Sequence, residues 1–327
     1  MKIITPSRLH LTLIDLNGER GRLDGGAGIT LKKPNFIMKA KPNGELKTEF
    51  AEKNLEESLI REYSAKIEES AKRMLNYLKS SERFDFIIEK TFPAHSGLGS
   101  GTQVSLATAK LITGFHGIEM DSWELARIVG RGGTSGIGVA SFEYGGFIVD
   151  GGHSKREKKD FLPSSASRAS PPPVIARYDF PEDWNIIVAI PRIDRQVSGV
   201  KEVNIFQEYC PIPLGEVERL SHIILMKMMP SVLEEDIDSF GEAINEIQGI
   251  GFKKVERKLQ HPIIDKIIEN MLSTGAAGAG MSSFGPAVYA ITDTNHKDVL
   301  RAAEEAMGDI GGIALITNVQ NSGAKYE

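Results

Sequence analysis

The chain has 327 residues, with 39 Lys and Arg against 44 Asp and Glu and a formal charge of −5, which excludes a generally basic nucleic-acid binder. Its 41 % hydrophobic and 25 % charged residues exclude dominant disorder, and a chain of this length is expected to form two domains. One cysteine, Cys210, excludes an intramolecular disulfide or a thiolate metal cluster, and the lack of any apolar run of signal-peptide or membrane-spanning length makes the expected protein cytoplasmic, with no membrane partner.

Residues 2–5 read as a strand, and Phe84, Phe86 and Ile88 alternate as a second one over 84–90. Between them Ile60, Tyr63, Ile67, Ala71, Met74 and Leu78 recur every three or four residues, the stripe of a helix that faces a core. After Pro93 comes the loop His95-Ser96-Gly97-Leu98-Gly99-Ser100-Gly101, then a helical pattern through Val104, Leu106, Ala107, Leu111 and Ile112. A second glycine-rich tract, 130–152, contains Arg131, Thr134 and Ser135 and an apolar strand over 147–149 that ends at Asp150. Residues 155–159 are charged and 164–173 are rich in Ser, Ala and Pro, the composition of an exposed or mobile connector. The boundary between domains 1–170 and 171–327 is expected there. The second half reads as a strand (184–190), helices over 214–229 and 232–248 broken at Pro230, and a helix over 263–272. A glycine loop (275–285), a strand (287–292), a helix (297–307) and a last strand (313–317) follow. This alternation implies an α+β architecture.

A glycine-rich loop between a strand and a helix can aim several backbone N–H groups and a helix dipole at one anion. Ser96, Gly97, Leu98, Gly99, Ser100 and Gly101 are therefore a candidate phosphate cradle, and a tight turn kept for packing is the alternative. The loop has neither the Gly-Lys-Ser/Thr ending of a P-loop nor the setting of a dinucleotide fingerprint.

The run from Pro93 to Gly101 resembles the phosphate loop of the GHMP superfamily, the galacto-, homoserine, mevalonate and phosphomevalonate kinases. Pro6-Ser7-Arg8, that loop, and Gly278-Ala279-Gly280 through Gly285-Pro286 occupy the places of the superfamily's three motifs in order. The resemblance implies a ribosomal-S5-like N-terminal domain and a ferredoxin-like C-terminal domain. Arg8 stands where many members carry a Lys, and Ser135 or a neighbour stands where they carry an Asp, so a standard sugar kinase is not implied: neither Ser nor Gly can act as an anionic base. The departures, over 7–18, 21–26, 133–138 and 146–152, resemble the archaeal β-ribofuranosylaminobenzene 5′-phosphate synthases of methanopterin biosynthesis. Those enzymes join 5-phosphoribosyl 1-diphosphate to 4-hydroxybenzoate or 4-aminobenzoate with loss of CO2 and diphosphate.

On that resemblance Arg8, His10 and Asp150 are the expected catalytic residues. His95 and the Ser96–Gly101 loop, with Arg22, Arg131, Thr134 and Ser135, are expected to bind the phosphates or the benzoate carboxylate, because guanidinium forks and backbone N–H groups suit both. Mg²⁺ is the expected cofactor, held by Asp15 and Asp24 as hard oxygen donors; these residues flank Asn17-Gly18, and Asx-turn chemistry alone accounts for one of them. His153, beside the charged run, is expected to be solvated. Arg192 and Arg195 are either a phosphate-binding strand end or surface charge. A homodimer is implied by the resemblance alone. The rival functions are an ATP-dependent small-molecule kinase and a non-catalytic phosphate- or nucleotide-binding regulator.

Overall fold

The first strand runs far past residue 5. In the computed structural model, which describes residues 1–164, 166–193 and 200–327, β1 (Lys2–Asp15) turns at Asn17-Gly18 and pairs antiparallel with β2 (Arg22–Asn43). The Asp15 carboxylate makes the turn, its Oδ1 accepting from the N–H groups of Asn17 (2.9 Å) and Gly18 (2.7 Å), so the Asx alternative is the one the structure realises. Two register shifts interrupt the β1–β2 pairing, one between Thr5 and Ser7 at Pro6 and one between His10 and Thr12. Proline cannot donate to the ladder, and bulges re-aim side chains beside sites.

The sheet continues through β3 (Lys47–Phe50), β4 (Arg83–Lys90), β5 (Phe147–Asp150), β6 (His153–Ser154) and β7 (Val174–Tyr178), and it recovers β12 (Lys325–Tyr326) from the far end of the chain. Because β7 pairs with β5, the first layer extends beyond the boundary set at residue 170. Four helices cover this sheet: α1 (Glu57–Leu78), α2 (Ser100–Phe115), α3 (Ser122–Val129) and α4 (Ile137–Glu143). The stripe read from α1 is largely core, with Tyr63, Ile67, Ala71 and Met74 buried against Phe36, Phe86 and Ile88 in one cluster.

The second layer is the antiparallel sheet β11-β8-β10-β9, built from β8 (Asn185–Pro191), β9 (Gly278–Met281), β10 (Val288–Thr292) and β11 (Gly312–Thr317). Its first strand lies between its fourth and third, the ferredoxin-like order expected. Helices α5 (Val200–Tyr209), α6 (Leu214–Ile223), α7 (Met229–Leu233), α8 (Ile237–Ile247), α9 (Gly251–Lys258), α10 (Ile263–Ser273) and α11 (His296–Met307) complete this half. No helix of the described residues is long and apolar enough to cross a membrane.

Two expectations are corrected here. Pro230 does not break its helix: a π-helical turn over Ile224–Met228 leads straight into α7, with Pro230 in its first turn. The break comes at Glu235, with φ +55°, before Asp236 caps α8. The glycine tract at 275–285 contains a strand, β9, because a side chain at Gly278 would begin 2.7 Å from the backbone of Gly241 on α8. Glycine there serves close packing of helix on strand.

Candidate active site

The loop from His95 to Gly101 leads into α2 with Gly97 and Gly99 both in the left-handed region, at φ +86° and +82°. Gly99 caps the helix without any side-chain acceptor, and the first turn holds no acidic residue. The helix N-terminus is thus left as an unneutralised anion cradle. Three cations surround it. Arg8 lies against Gly99, where a side chain would begin 3.1 Å from its Nε, and a side chain at Gly101 would begin 3.2 Å from Arg131 Nη2 and 3.4 Å from Lys66 Nζ. These groups, with His95, Ser100, Thr102, Ser135, Glu202 and Ser283–Gly285, line a cleft of about 280 Å³.

The three matched motifs meet at this cleft. The Arg8 backbone N–H donates to Leu98 O (3.1 Å) and its Nη1 donates to Gly97 O. Ser282, in the third motif, donates its hydroxyl to Gly97 O (2.7 Å) and accepts from the His10 N–H (2.9 Å). Ser283 N donates to His10 O and Ala287 N to Ser96 O, each at 2.9 Å. Gly97 has no alternative, since a side chain there would begin 2.2 Å from Ser282 O. Ser283 and His95 take φ +51° and +50° without being glycine; such backbone is costly and recurs at sites.

Behind the cleft lies a recess of about 70 Å³ lined by His10, Leu13, Thr134, Phe206, Glu256 and Phe284, and it shares Arg8, Ser135, Glu202, Ser283 and Phe284 with the outer cleft. The register shift at His10/Thr12 lies beside it. His10 is buried, and neither ring nitrogen has a hydrogen-bond partner. Burial, then the nearby positive charges of Arg8 and Lys253, hold its pKa well below the usual histidine value, so the ring is neutral and one nitrogen can accept a hydrogen bond. Burial also lowers Arg8 to about 10, helped by Arg131 and opposed by Glu256.

Five participants escaped sequence reasoning. Lys66 pairs with Glu62, whose Oε1 also meets His95 Nε2 at 2.8 Å; desolvation opposes ionisation of Glu62, but the bonds from His95 and Lys66 win and hold it at about 2. Lys253 is fully buried, donates to Met281 O and Ser283 O at 3.1 Å each, and pairs with Glu256. Glu202 of α5 lines both cavities. The sequence signal for Lys253 and Glu256 is a charge run over 253–258, a pattern that ordinarily marks a solvated face, and their burial has no local signature.

Other expected site residues are elsewhere. Ser96 and Leu98 shape the loop without lining the cleft: Ser96 Oγ donates to Pro93 O (2.7 Å) and Leu98 is core. Asp150 is fully buried behind Ser135, accepting from Ser135 Oγ (3.2 Å), Gly136 N (2.9 Å) and Gly152 N (3.0 Å). It positions Ser135 and the start of α4 and lines neither cavity. Gly26 keeps this crowded spot open, since a side chain would begin 3.1 Å from His10 Nε2 and 3.3 Å from both Asp150 Oδ2 and Ser135 Oγ and would press on all three. Arg22 lies outside the cleft, clamping Gly151 O (2.7 Å) and Gly152 O (2.6 Å). Thr134 reaches the recess, but its hydroxyl donates to Leu162 O at 2.6 Å.

The Mg²⁺ assignment does not fit its residues. Asp15 is committed to its turn, and Asp24 is buried against His153 Nδ1 (2.6 Å) and Lys158 Nζ (2.9 Å). Among the described residues no group of three His, Cys, Asp or Glu side chains could hold a metal ion. His153 and Lys158, expected in solvent, are both buried: Asp24 pairs with the Lys158 ammonium and meets the His153 ring, and Lys158 also donates to Gly133 O and Leu162 O at 2.9 Å each. This pins residues 158–162 to the Gly133–Thr134 tract, and Pro171 and Pro172 pack on Gly132 and Gly136, so the connector is a wall of the site at its described positions. Arg192 is exposed at the end of β8, and Arg195 lies outside the described residues.

Comparison with known proteins agrees with this geometry. Residues 53–146 match the family model described as GHMP kinases N terminal domain, and 228–309 match GHMP kinases C terminal. A solved homoserine kinase from Cytophaga hutchinsonii shares the fold with a TM-score of 0.70 at 17 % identity, over 99 % of this chain and 96 % of that one. The chain is 65 % identical to a beta-ribofuranosylphenol 5′-phosphate synthase of Methanothermobacter thermautotrophicus over 98 % of this chain and 97 % of the relative. It is 46 % identical to the protein of the same name from Methanocaldococcus jannaschii over 99 % of both chains. On this likeness over its full length, built on the two-domain GHMP fold, the chain belongs to the beta-ribofuranosylphenol 5′-phosphate synthase family.

Proposed function

We propose that this protein transfers the ribosyl 5-phosphate unit of 5-phosphoribosyl 1-diphosphate to 4-hydroxybenzoate, releasing CO2 and diphosphate and leaving β-ribofuranosylphenol 5′-phosphate. The observation that carries the reading is one continuous site with an electropositive glycine cradle outside and a recess inside that holds a neutral, unpartnered His10. The relatives' name speaks of a phenol, and a phenol product keeps the hydroxyl of 4-hydroxybenzoate, where 4-aminobenzoate would leave an aniline.

The ring carbon that bears the carboxylate attacks ribose C1, and the C1–O bond to diphosphate breaks with its electron pair leaving on the diphosphate. The bond to the carboxyl carbon then breaks, its pair returns to the ring, and CO2 departs. Backbone N–H groups of the Gly97–Gly101 loop and the cations Arg8, Arg131 and Lys66 stabilise the leaving diphosphate, the term that dominates catalysis when charge develops in a site shielded from water. The hydroxyl end of the ring enters the recess, where neutral His10 accepts a hydrogen bond from the phenol O–H, so that the ring oxygen releases electron density to the attacking carbon while the proton stays on the phenol. Mg²⁺, as the expected cofactor, would neutralise charge on the diphosphate, and no residue of this chain is assigned to hold it. The resemblance to the family also brings a homodimer, read by light scattering as twice the chain mass.

The test is to incubate the purified protein with Mg²⁺, 5-phosphoribosyl 1-diphosphate and 4-hydroxybenzoate and identify products by mass spectrometry. Equal amounts of ribosylphenol phosphate and diphosphate support the reading. A phosphorylated alcohol formed from ATP, with no ribosylphenol, would replace it with a kinase.

A further inference from the structure

The chemistry proposed above makes ribose C1 positive while its diphosphate leaves, and a site for that step needs negative charge at the reacting carbon as well as positive charge at the leaving group. The acids available can be taken in turn. Asp150 is behind Ser135, Asp24 is paired with Lys158 and bonded to the His153 ring, Asp15 is in its turn, Glu62 is held by His95 and Lys66, and Glu256 is paired with Lys253. Glu202 differs from all of them. It lines the outer cleft and the inner recess alike, and among the described residues no other acid does so. Among the described residues its carboxylate has neither an ion pair nor a hydrogen bond. An unpaired acid on the wall of a cleft that must admit a diphosphate weakens substrate binding unless it acts at another point of the reaction.

We infer that Glu202 is the catalytic carboxylate that faces the cation developing at ribose C1, at the junction where the donor's sugar must lie between the phosphate cradle and the acceptor ring. This rests on the proposed ribosyl transfer. As the C1–O bond opens and its pair leaves with diphosphate, C1 and the ring oxygen share the positive charge. Glu202 faces it until the ring carbon's electron pair closes the new C–C bond and CO2 is lost. The carboxylate forms no bond of its own. Burial, then the negative charge of Glu256, pushes its carboxyl up to about 7, with Arg131 opposing, so the ionised form is costly there until a cation develops beside it.

The experiment compares wild type with Glu202→Gln and Glu202→Asp in the ribosyl-transfer assay, with diphosphate binding followed by calorimetry. Glu202→Gln is expected to lower kcat about 100-fold, the scale for removing one electrostatic stabiliser. The donor KM should stay unchanged or fall, because a charge that repels diphosphate is gone. Glu202→Asp should recover part of kcat. A Gln variant with kcat within threefold of wild type, or one whose whole loss is a raised donor KM, would overturn the assignment. If Glu202→Gln fails to bind diphosphate, Glu202→Ala carries the test, and a kcat within threefold of wild type in it would overturn the assignment. A wild-type protein that makes no ribosylphenol refutes the proposed function itself, whereas an active wild type with an unaffected Gln variant refutes only the role of Glu202.

Discussion

Two buried polar clusters lie near the β1–β2 hairpin, and they differ in one respect. In the Asp24–His153–Lys158 cluster every charge is matched: His153 Nε2 meets Ser170 O (2.9 Å), Lys158 satisfies Asp24, Gly133 and Leu162, and no side-chain atom is left over. In the cluster of Arg8, His10 and Glu202, Arg8 Nε and both nitrogens of His10 lack partners. Buried polar atoms left unmatched cost stability. The first cluster is scaffold, and the second is built to be completed by a ligand.

Removing one member should separate them most sharply in stability. Lys158→Met leaves Asp24 with half its compensation and releases the wall at Gly133 and Leu162, so it should destabilise the protein by about 3 kcal/mol, read by denaturant unfolding. Arg8→Ala should leave the unfolding midpoint close to wild type while lowering activity about 100-fold. A large stability loss from Arg8→Ala, with activity per folded molecule intact, would place Arg8 with the scaffold. Gly99→Val puts a branched side chain at φ +82° against Arg8 and should abolish diphosphate binding by calorimetry in a folded protein.

Asp150 sharpens the comparison through pH. Burial pushes its carboxyl up to about 7, against the three hydrogen bonds that favour the ionised form. The unfolded value is near 4, so between about pH 4 and 7 the folded state holds the additional proton. Stability from this group is therefore full below pH 4 and declines as pH rises through 7. Asp150→Asn should remove that slope from thermal melts taken across the range. The smallest effect is expected of Arg22→Ala, which loses two bonds to Gly151 and Gly152 near the surface and should cost about 1 kcal/mol with activity within twofold of wild type. A collapse of kcat in that variant would bring Arg22 back into the site.

What was legible in the chain follows from the range of each interaction. The α1 stripe, the glycine loop before α2 and the strand order of the second half are local patterns, and periodicity or turn chemistry exposes them. β2 was not read because Gly25, Gly26 and Gly28 look like a loop; they sit in a strand since His10, Ser135, Asp150 and Ile137 crowd them from distant parts of the chain. Arg8, His10, Arg131 and the loop were found as a group, while Lys253, Glu256, Lys158 and His153 lie in stretches whose charge density suggests solvent. Only the tertiary partners Ser283, Asp24 and Gly133 bring them inside, and no sequence spacing encodes those meetings.

The central claim is that the cradle and the recess act together in one ribosyl transfer. It is tested most directly by carboxyl-labelled 4-hydroxybenzoate, with release of labelled CO2 measured with and without 5-phosphoribosyl 1-diphosphate. The account predicts release only with the donor present, in step with diphosphate, and nearly abolished in His10→Ala. Release without the donor, or none at all beside brisk ATP turnover, would contradict it.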